Sequence, residues 1–114
     1  MGYEMSDHHL VHPPAEALDL PGVLHALSDP VRLTIVRELA DRAPCNCGSF
    51  QVPVAKSTLS HHLRVLRDAG VTFTEPVGTA RVVSLRRDDL DARFPGLLDA
   101  VLASALVSTL TATP

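Results

Sequence analysis

The chain has 114 residues, of which 46% are hydrophobic and only 4% aromatic, and a formal net charge of −3 at pH 7. That length makes one domain, near the size at which a partner subunit adds stability, and abundant Leu, Val and Ala with few aromatics favour packed helices over a β-sandwich. No apolar run reaches the length of a membrane span, the first ten residues do not look like a signal peptide, and two cysteines one residue apart make no disulfide framework, so a cytoplasmic protein is expected.

Residues 1–14 carry His8, His9, His12 and the pair Pro13-Pro14, which is the composition of a flexible arm. The remaining residues, 15–114, read as a single folded unit. Between 15 and 27, Leu18, Leu20, Val23, Leu24 and Leu27 recur with helical spacing, and Pro21 implies a short turn before the main helix. Asp29-Pro30 is a strong helix start, because an aspartate caps free amides and a proline at the first position loses no bond. This second helix is expected to run to about Arg42 with Val31, Ile35, Val36 and Leu39 on its buried side, and Pro44 closes it. Residues 45–55 leave room for only a short helix or turn.

From about Lys56 to Gly70 the pattern is again helical. Leu59, Leu63 and Leu66 fall within about 60° of one another on a helical wheel, and a glycine just past the last turn is a common stop. Ser57, His61, Arg64 and Asp68 lie opposite the leucines, with Ser60 and Arg67 on the flank. A short element followed by such a helix is the helix-turn-helix arrangement, in which the second helix enters a major groove. Val71 to Thr74 then alternates as a strand, Glu75 to Thr79 supplies Pro76 and Gly78 for a turn, and Ala80 to Leu85 returns. A hairpin in this position is a wing, with Arg81 near its tip. From Asp88 the chain is helical with an interruption at Pro95, and Leu97, Leu98, Val101, Leu102, Ala105, Leu106 and Leu110 form a broad apolar stripe. A stripe with so few charges is either core or, as the favoured reading in a chain this small, a face covered by a second copy of the chain.

The expected fold is therefore mainly α with a small β-hairpin, a winged helix-turn-helix in the order α-α-α-α-β-β-α, forming a homodimer. The charge distribution agrees with contact to double-stranded DNA despite the acidic total. Residues 1–31 hold five acids and no Lys or Arg, whereas residues 56–87 hold six cations against Asp68 and Glu75. Phosphates respond to that local field more than to the net charge. The expected contacts are Lys56, Ser57, Thr58, Ser60, His61 and Arg64, with Arg67 and Arg81 beside them. No glycine-rich phosphate loop, nucleophile elbow or paired His-Glu zinc helix points to an enzyme.

Three stretches carry a family resemblance: Leu27-Ser28-Asp29-Pro30-Val31-Arg32-Leu33, Ser57-Thr58-Leu59-Ser60-His61-His62-Leu63, and the hairpin with its long last helix. Together, over roughly residues 20–103, they resemble the ArsR/SmtB family of winged-helix repressors. The resemblance implies a homodimer on a palindromic operator, released by an inducer that is often a metal ion. Relatives commonly cap the recognition helix with serine where this chain has Ala55, a difference of about 1 kcal/mol.

The resemblance also bears on the sensor. Cys45 and Cys47 match the first two cysteines of a thiolate site found before the recognition helix in part of the family, while Phe50 occupies the third position. Thiolates favour zinc, cadmium or a related ion, with His8, His9 or His12 as weaker further ligands. Thiol oxidation and a plain structural role remain open for the pair. The metal site that relatives build on the last helix is absent, since no histidine follows His62. His62 itself is expected to be a half-buried hydrogen-bonding residue. For the last helix, Leu98, Val101, Leu102, Ala105 and Leu106 are the expected dimer contacts. The competing class is a winged-helix dimer that binds a protein partner or senses redox state in place of DNA.

Overall fold

Two aspartates set where the first helices begin in the computed structural model, which describes residues 10–42 and 44–112, the side chains of Cys47 and of residues 106–112 excepted. Asp19 accepts a hydrogen bond from the Gly22 amide at 2.7 Å and opens helix α1, Leu20–Ala26. Asp29 Oδ1 accepts from the amides of Val31 at 2.8 Å and Arg32 at 3.2 Å, and helix α2 runs over Pro30–Arg42. Each cap satisfies amides that no preceding turn can reach. The turn expected ahead of α1 is a 3-10 turn at Ala15–Ala17.

Helix α3 spans Lys56–Asp68, and Ala55 before it makes no side-chain cap bond. Its other end is a Schellman closure. The Gly70 amide donates to Arg67 O and the Val71 amide to Leu66 O, both at 3.0 Å, with Gly70 at φ 84°. Only glycine takes that conformation without strain, and Val71 and Leu66 are both fully buried beneath the closure.

Three details of the order differ from expectation. Between α2 and α3 there is no further α-helix but a two-residue strand β1, Cys45–Asn46, and a 3-10 turn at Cys47–Ser49. Pro44, Gly48 and Pro53 break that stretch too often for four successive helical hydrogen bonds. The hairpin is longer than the turn residues suggested. Strand β2 covers Thr72–Val77 and strand β3 Ala80–Leu85, so Glu75, Pro76 and Val77 are paired and only Gly78-Thr79 turns. Gly78, at φ 63°, supplies the left-handed residue a two-residue hairpin needs. Pro76 is tolerated because β2 is an edge strand: the antiparallel sheet runs β1-β3-β2, with Cys45 opposite Val83.

The third difference lies after the wing, where α4, Arg87–Arg93, is a separate helix before α5, Leu97–Ala112. Pro95 and Gly96, the latter at φ 83°, make the corner. Leu18, Ile35, Leu39, Leu66 and Leu98 are the large side chains at the centre of the core, which draws on nearly every element. The architecture is a winged helix-turn-helix. Among the described residues no helix is long and apolar enough to cross a membrane.

Candidate nucleic-acid interface

Burying one face of α3 exposes the other. Leu63 and Leu66 are buried and Leu59 is packed against the core from its edge. Lys56, Ser57, Thr58, Ser60, His61 and Arg64 are all exposed. The wing returns alongside this face, so that Ser57, Ser60, His61, Arg64, Arg67 and Arg81 line one open cleft of about 330 Å³. Arg81 sits on β3 opposite Pro76, one residue from the Val77–Ala80 pair that closes the hairpin. Arg67 is half-buried, unlike the others. Six of the eight side chains expected to meet DNA thus share one cleft, while Lys56 and Thr58 stand in the first turn beside it.

The position of α3 depends on a residue that the stripe of apolar positions conceals. Arg32 is 7% exposed. Its Nε donates to Ala26 O at 2.7 Å, and Nη2 to His25 O at 3.4 Å, so it closes the end of α1. Nη1 lies 3.0 Å from His62 Nδ1 on α3. Because arginine can only donate, Nδ1 must be the acceptor and the imidazole proton sits on Nε2. His62 is buried, more deeply than expected, and its role as a hydrogen-bonding residue holds. Asp29 Oδ1 stands 4.0 Å from Nδ1, too far for a hydrogen bond. Burial works against ionisation of Asp29, but the amide bonds from Arg32 and Val31 outweigh it. Aided by the nearby positive charge of Arg32, they hold the carboxyl below its ordinary 3.8. A signal for Arg32 was present: it stands three, four and seven residues before Ile35, Val36 and Leu39, on the buried face of α2.

Not every cation of the central segment faces the cleft. Arg86 bonds Asp89 at 3.0 Å and Pro13 O at 2.8 Å, and Arg87 bonds Asp99 at 3.0 Å with Asp91 at 3.8 Å. Those two contribute to the fold and are offset by carboxylates beyond residue 87. The positive field at the cleft therefore comes from Lys56, Arg64, Arg67 and Arg81.

Of the candidate sensor residues, the side chains of Cys45 and His12 are described. Cys45 is 3% exposed and its thiol donates to Arg42 O at 3.4 Å, while the Cys47 side chain, His8 and His9 lie outside the described residues. His12 is docked on the sheet: Nε2 accepts from the Thr74 amide at 3.0 Å and the ring stacks on Phe73 at 4.2 Å. Burial, then the charges of Arg67 and Arg86, lower its pKa from the ordinary 6.5 against a bond to the Leu10 carbonyl. The last residues of the arm, His12 and Pro13, are thus held against the domain. No cluster of three His, Cys, Asp or Glu side chains suited to a metal occurs among the described residues.

In the last helix, Leu98 is 2% exposed and belongs to the core of its own chain. Val101 and Leu102 are half-buried, Ala105 is buried, and the Leu106 side chain lies outside the described residues. Val101 and Ala105 line an open apolar groove of about 330 Å³ together with Leu24, Leu27 and Leu33, so α1 and α2 share a face that the sequence ascribed to the last helix alone.

Comparison with known proteins agrees with this architecture. Residues 27–72 match the family described as a helix-turn-helix domain, which covers α2, the turn and α3. The chain is 36% identical over 80 residues, 68% of its length and 80% of the relative's, to the uncharacterized HTH-type transcriptional regulator YceK of Bacillus subtilis. The crystal structure of an ArsR family transcriptional regulator superposes with a TM-score of 0.57 at 21% identity, covering 85% of this chain and 98% of that one, which is a likeness of fold. The fold and the cleft define a DNA-binding transcriptional regulator, in a class that is not enzymatic. The chain belongs to the HTH-type transcriptional regulators, and its winged-helix fold is like that of an ArsR family regulator.

Proposed function

We propose that the chain is a homodimeric repressor that binds a palindromic operator in the cytoplasm and releases it when an effector binds. The observation that carries this reading is the cleft in which the outward face of α3 meets the wing, with Arg64, Arg67 and Arg81 in a chain whose total charge is negative. In this reading the first turn of α3, with Lys56, Ser57, Thr58, Ser60 and His61, enters the major groove, where short polar side chains reach base edges. Arg64 and Lys56 neutralise backbone phosphates, and Arg81 follows the wing toward the neighbouring minor groove. The apolar groove between α1, α2 and α5 is where the second copy docks, since two recognition helices must be held about 34 Å apart to reach successive major grooves.

A thiolate effector site at Cys45 and Cys47 is the weaker account of release. Cys45 is an interior residue of β1 whose thiol proton is engaged by Arg42 O, and an ion there would have to displace that proton and expose the strand.

Fluorescence anisotropy with operator DNA across a series of salt concentrations tests the surface. Arg64→Ala and Lys56→Ala are each expected to weaken binding to all sequences and to reduce the slope of log affinity against log salt by about one unit per chain. An unchanged slope in both variants would remove these residues from the DNA.

A further inference from the structure

Beside the cleft, a second space opens between the wing and α3. It has a volume of about 440 Å³ and is bounded by α3, by the wing and by the turn that follows β1. Sites for small molecules commonly enclose about 300–1,000 Å³. Its charged lining consists of Lys56, Arg67 and Arg81, with no carboxylate among the lining residues. Arg67 reaches the cavity from a half-buried position on α3. Hydroxyls of Ser60, Thr74 and Thr79 offer additional donors. The same cavity has an apolar wall formed by Leu59, Leu63 and Ala80, which no phosphate of a DNA backbone would need.

We infer that this cavity binds a small organic anion, a carboxylate or phosphate on an apolar body, and that its occupant competes with DNA. The competition rests on the DNA-binding surface proposed above, because Lys56, Ser60, Arg67 and Arg81 belong to both. An anion held between Lys56 and Arg67 cancels positive charge where DNA phosphates would otherwise lie, and its apolar body fills the space between the wing and α3. The recognition helix and the sensor are then adjacent, and no signal has to cross the molecule.

Phenyl phosphate is a suitable probe, with inorganic phosphate as its comparison, both titrated calorimetrically and by amide chemical shifts into the full chain at constant ionic strength. The expected result is one phenyl phosphate per chain, bound about tenfold more tightly than inorganic phosphate because the ring leaves water. The amides of Leu63, Thr79 and Ala80 should shift. At saturation the operator dissociation constant should rise about tenfold, within the usual range of coupling between two ligands. Ala80→Leu places a larger side chain in the cavity and should abolish phenyl phosphate binding and its effect on DNA while leaving operator affinity in place. Arg67→Gln, which removes the guanidinium, should reduce phenyl phosphate affinity in the absence of any DNA. Lack of saturable binding up to about 10 mM, well above any useful affinity, would overturn the inference. Equal affinity for the two phosphates would also overturn it and make the cavity a seat for a backbone phosphate. So would phenyl phosphate binding that is unchanged in both variants. If free protein binds no operator but phenyl phosphate still binds and both variants abolish it, the repressor reading fails and the cavity stands.

Discussion

Arg32 ties three helices together through a single guanidinium, and its value depends on every partner being an acceptor. Replacing His62 by Leu leaves Nη1 buried without one, which costs about 1–3 kcal/mol. His62→Asn returns an oxygen near the place of Nδ1 and should recover much of that loss. Urea unfolding of both variants checks this, and equal destabilisation by Leu and Asn would show that ring packing, not the hydrogen bond, is what matters. Asp29 contributes through pH. Its folded pKa lies below the ordinary 3.8, so its stabilisation is fully present above that value and is lost as pH falls through the folded pKa. Asp29→Asn keeps a capping oxygen but has nothing to titrate. The stability difference between wild type and this variant should therefore shrink between about pH 6 and about pH 3. A difference that stays constant over that range would mean that the carboxylate's charge is irrelevant. At this scale the capping role of Asp29 was readable in the sequence, because capping is local. The partner of Arg32 was not, because residue 62 is brought to it only by the packing of α3 on α2.

At the scale of elements, helix ends were readable and connections were not. Asp29-Pro30, Pro44 and Gly70 bound α2 and α3 within a residue or two of expectation, since caps and stops act over one turn. Gly70 shows how firmly. A Cβ there would run into the Leu18 side chain at a φ that non-glycine residues avoid. Gly70→Ala is expected to cost about 2–4 kcal/mol, from the left-handed backbone plus overpacking of the core. Thermal denaturation checks it, and a loss below about 0.5 kcal/mol would show that the closure can relax. By contrast, Pro76 looked like a turn residue and is a strand residue, because an edge position leaves its missing N–H without consequence. The strand at Cys45–Asn46 could not be found from two residues of pattern. It exists because β3 offers Val82 and Val83 as partners.

For the whole molecule, the question is what covers the apolar groove. Leu24 is 45% exposed and borders the groove with Val101 and Ala105. In the proposed dimer, Leu24→Asp and Leu102→Asp would each bury an unpaired carboxylate between subunits. Both should dissociate the dimer in sedimentation and weaken operator binding by the loss of the second half-site. Leu24→Asp is the cleaner variant, since Leu24 is largely exposed within one chain and the monomer fold has little need of it. An intact dimer in both variants would place the interface elsewhere. The apolar stripe of the last helix was evident in its sequence, yet Leu98 proved to be committed to the protomer's own core. Which face of a helix is internal and which is left over depends on neighbours that α1 and α2 supply.

The sequence by itself determined the elements whose causes are local: the aspartate caps, the glycine stop, the leucine stripe of α3 and therefore the polar face opposite it. It also carried the resemblance to a family, through the Asp29-Pro30 start and the Ser-x-x-Ser-His-His-Leu run. Only the tertiary structure decided where each cation goes, pairing Arg86 and Arg87 with Asp89 and Asp99 and bringing Lys56, Arg64, Arg67 and Arg81 around one cleft and cavity. Charge counts along a chain treat neighbours in sequence as neighbours in space. Coulomb energy depends on distance through the folded molecule, so the partners that neutralise a cation can be twelve residues away, as Asp99 is from Arg87.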